Sequence, residues 1–251
     1  MIAIATFASA FGEIEILKCR ATGSRVYLQA GCYQTETDES GVSVVPYIHA
    51  IFGFLMQANA RNVLMIGCGG GSLGTMLAKA GIGVTIVDDN PAAFTIARDY
   101  FGLPKTIDCR VADGEELLLR TGDRYEAIVM DAFKGDRILH HLRTSSFFNL
   151  ARSRLDRSRG CLLANVHVQH DLDMAPEQYA GVARSVWKEV RLLDTRGAIN
   201  RNALVIAGNV KNLRKPTLLV PPLMGGEDIA LHLDRMNFRA CSRWVDSDSC
   251  V

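Results

Sequence analysis

The sequence predicts an α/β fold, a mostly parallel sheet with helices packed on its faces, and three observations predict it. Four apolar runs, Val63–Ile66, Val84–Val87, one ending near Asp113-Gly114, and Ala127–Met130, read as buried strands. Each of them finishes on a glycine or aspartate cluster. Helical patterns alternate with the runs at the pitch of right-handed βαβ units. In such a sheet the carboxyl ends of the strands form one rim, and ligands bind there. The spacing of the clusters suits a nucleoside, with Asp131 beside its reactive end.

The elements follow in order. Residues 1–45 are expected to be a β region, because Glu13–Leu17 and Arg25–Gln29 alternate with period two around a Thr22-Gly23-Ser24 turn. The opening MIAIATFASAF has small residues near Ala8–Ala10 but no basic segment ahead of them. It runs into an alternating pattern, so a strand is expected there rather than a signal peptide. Gly31 and the acidic segment Glu36–Glu39 lead to Pro46, which opens a buried helix, PYIHAIFGFLMQANA, as a first-turn proline.

Residues 46–215 are expected to form the main domain. Its strands are placed at 63–66, 84–87, 107–111, 127–130, 161–168, 190–194 and 203–208. Its helices are placed at 72–80, 91–100, 114–120, 144–155 and 176–189, the last with Tyr179, Val182, Val186 and Val190 as a core stripe. The segment after Asp131, Ala-Phe-Lys-Gly-Asp, looks like loop. Residues 216–251 read as an irregular extension with Pro216, Pro221-Pro222 and Gly225-Gly226. A short helix near 227–236 and a polar tail, DSDSCV, close it.

Composition narrows the function classes. The 251 residues carry 28 basic and 27 acidic side chains, a balance that argues against nucleic acid as a partner. The apolar stretches are far shorter than a membrane span. Cysteines at 19, 32, 68, 109, 161, 241 and 250 are odd in number and form no CxxC pair. Reduced thiols in a cytoplasmic protein are therefore expected, without a disulfide frame or zinc site. His140-His141 and the His167/His170 pair lack a third ligand at suitable spacing, so no metal is expected. His141 reads as a packing or pocket residue. The six arginines between Arg137 and Arg159 read as a solvated face.

The rim residues carry the chemistry. Gly67, Gly69, Gly70 and Gly71 let backbone approach a ligand, and the following helix start offers unpaired N–H groups. A dinucleotide fingerprint would want glycine three residues after Gly69, where Ser72 stands, which weakens an NAD reading. A tight turn without a ligand stays open. Asp88, 21 residues after Gly67, can accept two hydrogen bonds from a ribose diol. It could instead cap the helix from Pro91, a role that Asp89 or Asn90 fits better. Asp113 could accept from an adenine amino group, with Gly114 admitting the ring, or cap helix 114–120; the two roles are compatible. Asp131 is the chemical candidate, the alternative being a strand terminator bound to backbone. If an amine attacks a sulfonium-activated carbon, neutralising it at pH 7 costs roughly 4–5 kcal/mol from a pKa of about 10.4. A carboxylate that orients the amine and takes its proton lowers that barrier.

Together these residues resemble the spermidine synthase-like (polyamine aminopropyltransferase) family over roughly residues 26–210. The family lies within the Rossmann-like class I methyltransferase fold, here with a small N-terminal β appendage. RVYLQAGCYQTETDE resembles its gatekeeping segment, with Gln34 at a nucleoside-contacting glutamine. IGCGGGS resembles its glycine loop, VDDNP its ribose-binding end, and VADGEELL its adenine-contacting Asp-Gly. VMDAFKGDRILHHLRTSSFF resembles its catalytic segment in divergent members and puts Asp131 at the catalytic aspartate. Asn202 resembles a late asparagine before the closing strand.

The resemblance implies a transferase of polyamine biosynthesis that moves an aminopropyl or related alkyl group to a small-molecule amine. Its co-substrate would be decarboxylated S-adenosylmethionine or S-adenosylmethionine, without a metal, and the protein would be a homodimer. Three positions depart from the family pattern. Gly70 stands where the family has an aspartate that contacts the aminopropyl amine. Lys134 stands at a second aspartate, and Ser40–Ser43 supply no tyrosine after Asp38-Glu39. Gly70 and Lys134 favour an S-adenosylmethionine-dependent methyltransferase as the alternative. The missing aspartate and tyrosine keep open a nucleoside-binding protein without turnover.

Overall fold

Four short strands begin the chain, β1 (Ile2–Phe7), β2 (Ile14–Lys18), β3 (Arg25–Gln29) and β4 (Cys32–Thr37), paired in that order as an antiparallel sheet. These are drawn from a computed structural model that describes residues 1–10, 12–134 and 137–240. Gly135 and Asp136, Cys241, Trp244, Cys250 and the tail DSDSCV lie outside the described residues. Alternation in β2 turns Ile14 and Ile16 inward, onto Tyr27 of β3. Helix α1 (Pro46–Gln57) follows, with proline in its first turn where no N–H is needed.

The main sheet is built from β5 (Asn62–Ile66), β6 (Gly83–Asp88), β7 (Asp108–Val111), β8 (Ala127–Met130), β11 (Cys161–Val168), β12 (Val190–Asp194), β13 (Arg201–Gly208) and β14 (Asn237–Arg239). Helices α2 (Ser72–Lys79), α3 (Pro91–Phe101), α4 (Gly114–Arg120), α5 (Ser145–Arg154), α6 (Ala175–Val186) and α7 (Gly226–Arg235) flank it. The strand order is β14-β12-β13-β11-β8-β5-β6-β7. Pairing is parallel from β11 through β7, and antiparallel where β13 meets β11 and β12 and where β14 meets β12. The link from β12 to β13 is too short for a crossover, so β13 must turn back.

The central strands are covered on both faces, as their apolar runs imply. Val63 and Met65 enter one core with α1, α2 and α7, while Leu64 and Ile66 enter another with α4, α5 and α6. The N-terminal sheet packs on α3 through Ile96 and Phe101. On α1, Gly53 lies so close to Pro216 that a Cβ would stand 3.1 Å from the proline Cβ. The extension is also tied to the N-terminal sheet, because the Leu223 N–H donates to Asp38 Oδ2 at 2.8 Å.

Three local expectations change. The helix expected to 189 ends at Val186, because Trp187 is extended, and Val190 opens β12 instead of closing the core stripe. The segment after Asp131 forms a small antiparallel hairpin, β9 (Phe133–Lys134) with β10 (Arg137–Ile138), and a 3-10 turn spans His140–Arg143. Strand β14 was not expected at all, and a buried ion cluster holds it. Arg239 Nε meets Asp194 Oδ2 at 2.9 Å and Nη1 pairs with Glu177, while Arg201 Nε meets Asp194 Oδ1 at 2.7 Å. Among the described residues no helix is long and apolar enough to cross a membrane, and no cluster of His, Cys, Asp and Glu could hold a metal. Cys19, Cys32, Cys68, Cys109 and Cys161 are free thiols.

Candidate active site

From β5 the chain steps one way to β6 and β7, whereas β8 and β11 lie on the other side. The crevice between the carboxyl ends of β5 and β8 is therefore the topological switch point. Gly67 and Asp131 face each other across it. Gly67 has φ +101°, and any Cβ there would overlap the Asp131 carbonyl oxygen. Only glycine supplies both the conformation and the room. Gly69 approaches Thr35 of β4, and the Gly70 N–H donates to Thr35 Oγ1 at 2.8 Å. Gly71 stands behind the loop as the left-handed residue that opens α2, against Leu103 and away from the ligand side.

Gly70 does not face the crevice. A Cβ there would stand 2.8 Å from Thr35 Cγ2 and 3.0 Å from Phe101 Cγ. Gly70→Asp should therefore destabilise the fold by about 1–3 kcal/mol, the usual range for overpacking. Thermal unfolding measures it, and an unchanged midpoint would show that Thr35 and Phe101 can move aside.

A cavity of about 380 Å³ opens along this rim, and Gln34, Gly67, Gly69, Asp88, Asp113, Gly114 and Asp131 all line it. Asp88 ends β6 and accepts from the Cys68 N–H at 2.7 Å and from the Asn90 N–H at 2.8 Å. It thus pins the glycine loop to the next turn and keeps spare lone pairs toward the cavity. Burial raises its carboxyl above the ordinary value, against those two hydrogen bonds. The cap of α3 is Asn90, whose side chain accepts from the Ala92 N–H. Asp113 caps α4, with Oδ1 accepting from Glu115 and Glu116. Its Oδ2 lies 2.8 Å from His141 Nε2. Gly114 is held against Ile66. Gln34 makes no side-chain hydrogen bond among the described residues, so its amide is available to a ligand.

Asp131 stands where this cavity meets a second one of about 590 Å³, and Gln34, Cys68, Gly69 and Phe133 share the junction. Tyr47 Oη, in the first turn of α1, donates to Asp131 Oδ2 at 3.0 Å. Asn165 Nδ2, on β11, donates to Oδ1 at 2.8 Å, and Asn202 Nδ2 on β13 donates to Asn165 Oδ1 at 2.9 Å. Burial raises the Asp131 carboxyl above its ordinary value, against the lowering by Asn165 and Tyr47. Burial, then the Asp131 charge, push the Tyr47 phenol up, so it stays a donor at neutral pH. The carboxylate is thus aimed and made more basic, which suits a group that must take a proton from an amine.

Two of these partners were not singled out from the sequence. The tyrosine expected after Asp38-Glu39 is absent, yet Tyr47 brings a phenol to Asp131 from the next helix. Asn165 carried a readable signal, since it is the one amide in the buried run CLLANVHV and is 2% exposed.

No protein-family model matches the chain. The polyamine aminopropyltransferase of Vibrio vulnificus (strain CMCP6) is 32% identical over 128 residues, covering 48% of this chain and 42% of that protein. The chain spans about half or less of the length of the curated relatives it matches. A crystal structure of a probable spermidine synthase from Corynebacterium glutamicum ATCC 13032 superposes with TM-score 0.75 at 15% identity, over 96% of this chain and 91% of that one. A spermidine synthase in complex with the transition state analogue AdoDATO gives TM-score 0.67 at 18% identity, over 92% and 84%. Over about half of its length the chain is similar in sequence to polyamine aminopropyltransferases, and over nearly all of it the chain shares the fold of solved spermidine synthases, an S-adenosylmethionine-dependent methyltransferase-like α/β fold.

Proposed function

We propose that the chain transfers an alkyl group, in the first reading aminopropyl, from decarboxylated S-adenosylmethionine to a small-molecule amine. The observation that carries this reading is the position of Asp131 between two cavities, with each carboxylate oxygen fixed by its own donor. The donor's nucleoside would lie along the rim, its ribose at Asp88 and its base toward Asp113 and Gly114, with Gln34 across from them. The residues suit that group, because loop backbone approaches closely and the Gln34 amide and the Asp88 lone pairs are left over.

The acceptor would enter the second cavity, which carries the carboxylates of Glu36 and Asp131 and, among the described side chains, no lysine or arginine. Asp131 takes a proton from the incoming ammonium. The freed nitrogen lone pair attacks the carbon next to the sulfonium, and the C–S bond breaks with its electrons going to sulfur. The products are an alkylated amine and a neutral thioether, and the proton leaves Asp131 for solvent. Holding both partners in line supplies much of the rate, since the sulfonium is already an activated leaving group.

Methyl transfer from S-adenosylmethionine is the second reading. Helix α2 begins without a side-chain cap, a start that favours an anion such as the methionine carboxylate. A binder without turnover loses ground, because Tyr47 supplies the phenol that seemed missing.

Thermal unfolding with S-adenosylmethionine, its decarboxylated form, methylthioadenosine and NAD tests the reading. A ligand at a hundred times its dissociation constant adds about 2.7 kcal/mol, a rise of roughly 5–10 °C for a chain of this size. A larger rise with the decarboxylated donor supports aminopropyl transfer. A larger rise with the intact donor moves the assignment to methyl transfer, and no rise with any S-adenosyl compound removes both.

A further inference from the structure

A third cavity, of about 670 Å³, adjoins the acceptor cavity and shares Phe133 and His167 with it. It belongs to neither of the two spaces assigned above. The two neighbours differ in charge. The acceptor cavity carries carboxylates at Glu36 and Asp131. The third cavity carries Arg143 and the imidazoles of His140, His167 and His170. Its one carboxylate among the described residues, Asp173, already accepts from the Gln169 N–H at 3.0 Å and the Ala175 N–H at 2.9 Å. Arg143 makes no hydrogen bond or ion pair among the described residues.

Between the charged groups the lining is apolar, with Ile138, Val166, Leu172 and Met174. Leu172 is 85% exposed and Met174 41%, so the cavity mouth presents bare apolar surface. Beneath it, Tyr179 has a buried hydroxyl with no partner among the described residues. An orphan of this kind in a native fold calls for an explanation, and a bound ligand is one.

We propose that the acceptor is an amino-carboxylate, its amine at Asp131 and its anionic end in the cavity of His140, Arg143, His167 and His170. This rests on the amine-transfer reading and adds the substrate class. A guanidinium binds a carboxylate through two parallel N–H donors, and an imidazole donates in either protonation state. A methylene spacer matches the apolar wall between the two charged ends. A second ammonium in the same place would face Arg143, which has no ion-pair partner among the described residues. His167, on the wall between the cavities, is placed to touch both halves of such a molecule.

Matched acceptors test it: 4-aminobutanoate against 1,4-diaminobutane, and 6-aminohexanoate against 1,6-diaminohexane, each with both donors. Release of the thioether product gives kcat/KM. At least one amino-carboxylate should exceed its diamine by tenfold or more, and Arg143→Ala should cut that ratio at least tenfold, with partial recovery in Arg143→Lys. Transfer that favours the diamines, with a ratio unmoved by Arg143→Ala, overturns the inference and leaves the transfer reading standing. If nothing is alkylated, calorimetry of 6-aminohexanoate with methylthioadenosine present decides. Heat that disappears in Arg143→Ala upholds an anion site, and no heat, or heat unchanged in the variant, removes it. Failure of methylthioadenosine itself to bind would instead sink the reading beneath.

Discussion

Asp131→Asn should lower transfer by about two to four orders of magnitude, the span of a lost general base, while nucleoside binding persists. The substitution keeps shape and can keep its hydrogen bonds. An amide oxygen still accepts from Asn165, and Tyr47 can rotate its hydroxyl to accept from the new N–H. What disappears is the basic oxygen. Because burial raises the Asp131 carboxyl, the acid limb of the wild-type kcat/KM profile should lie above the ordinary aspartate range near 3.9.

The same shift makes a statement about stability. A carboxyl whose folded pKa exceeds its unfolded value stabilises the fold fully only below the unfolded pKa, and that contribution is lost as pH rises through the folded one. At neutral pH the ionised Asp131 therefore costs the fold, and Asp131→Asn should melt at or above the wild-type temperature. Transfer that survives the substitution would remove Asp131 as the base. Loss of nucleoside binding along with activity would mean that the variant disturbed the loop at Gly67 instead.

Asp194→Ala should cost about 3–5 kcal/mol, the range for breaking a buried ion pair from one side, and lower the melting temperature by roughly 10 °C. The Asp194 side chain is fully buried and Arg201 is 3% exposed, so little solvent screens them. Burial alone would raise the Asp194 carboxyl, but the Arg201 and Arg239 guanidiniums outweigh it and hold it below the usual range. Removing it leaves Arg201 with Asp171, which is half exposed, as its carboxylate partner among the described residues, and takes one of the two carboxylates from Arg239 of β14. A depressed carboxyl stabilises above its unfolded pKa and ceases to as pH falls through the folded one. The gap between wild type and variant should thus be full at neutral pH and close below about pH 4. A melting point within a degree or two of wild type would show that the cluster is replaceable.

What the sequence made legible follows from burial. Strands β5, β6, β8 and β11 are covered on both faces, so their apolar runs and the polar residue ending each one stand out. Asp88, Asp113 and Asp131 come together because parallel strands must end on one rim, and Gln34 reaches the same cavity from β4 of the antiparallel sheet. Tyr47 was hidden because it lies 84 residues from Asp131 and in a helix whose other residues, His49 and Gln57 apart, are apolar for packing. Asp113 could be read either as a cap or as a ligand contact, and the fold spends one of its oxygens on the cap and turns the other to His141. Strands β9, β10 and β14 have two or three residues each, too few for any period to show. Gly71 looked equivalent to Gly67 and Gly69 in a run of glycines. Only the tertiary contact with Leu103 sets it apart.

Helix α1 joins distant parts of the molecule. At one end Tyr47 grips the Asp131 carboxylate; six residues on, Gly53 bears on Pro216 of the extension. Six residues of helix span about 9 Å. A side chain larger than glycine at position 53 would meet Pro216, so the packing of the extension helps set where this helix places Tyr47.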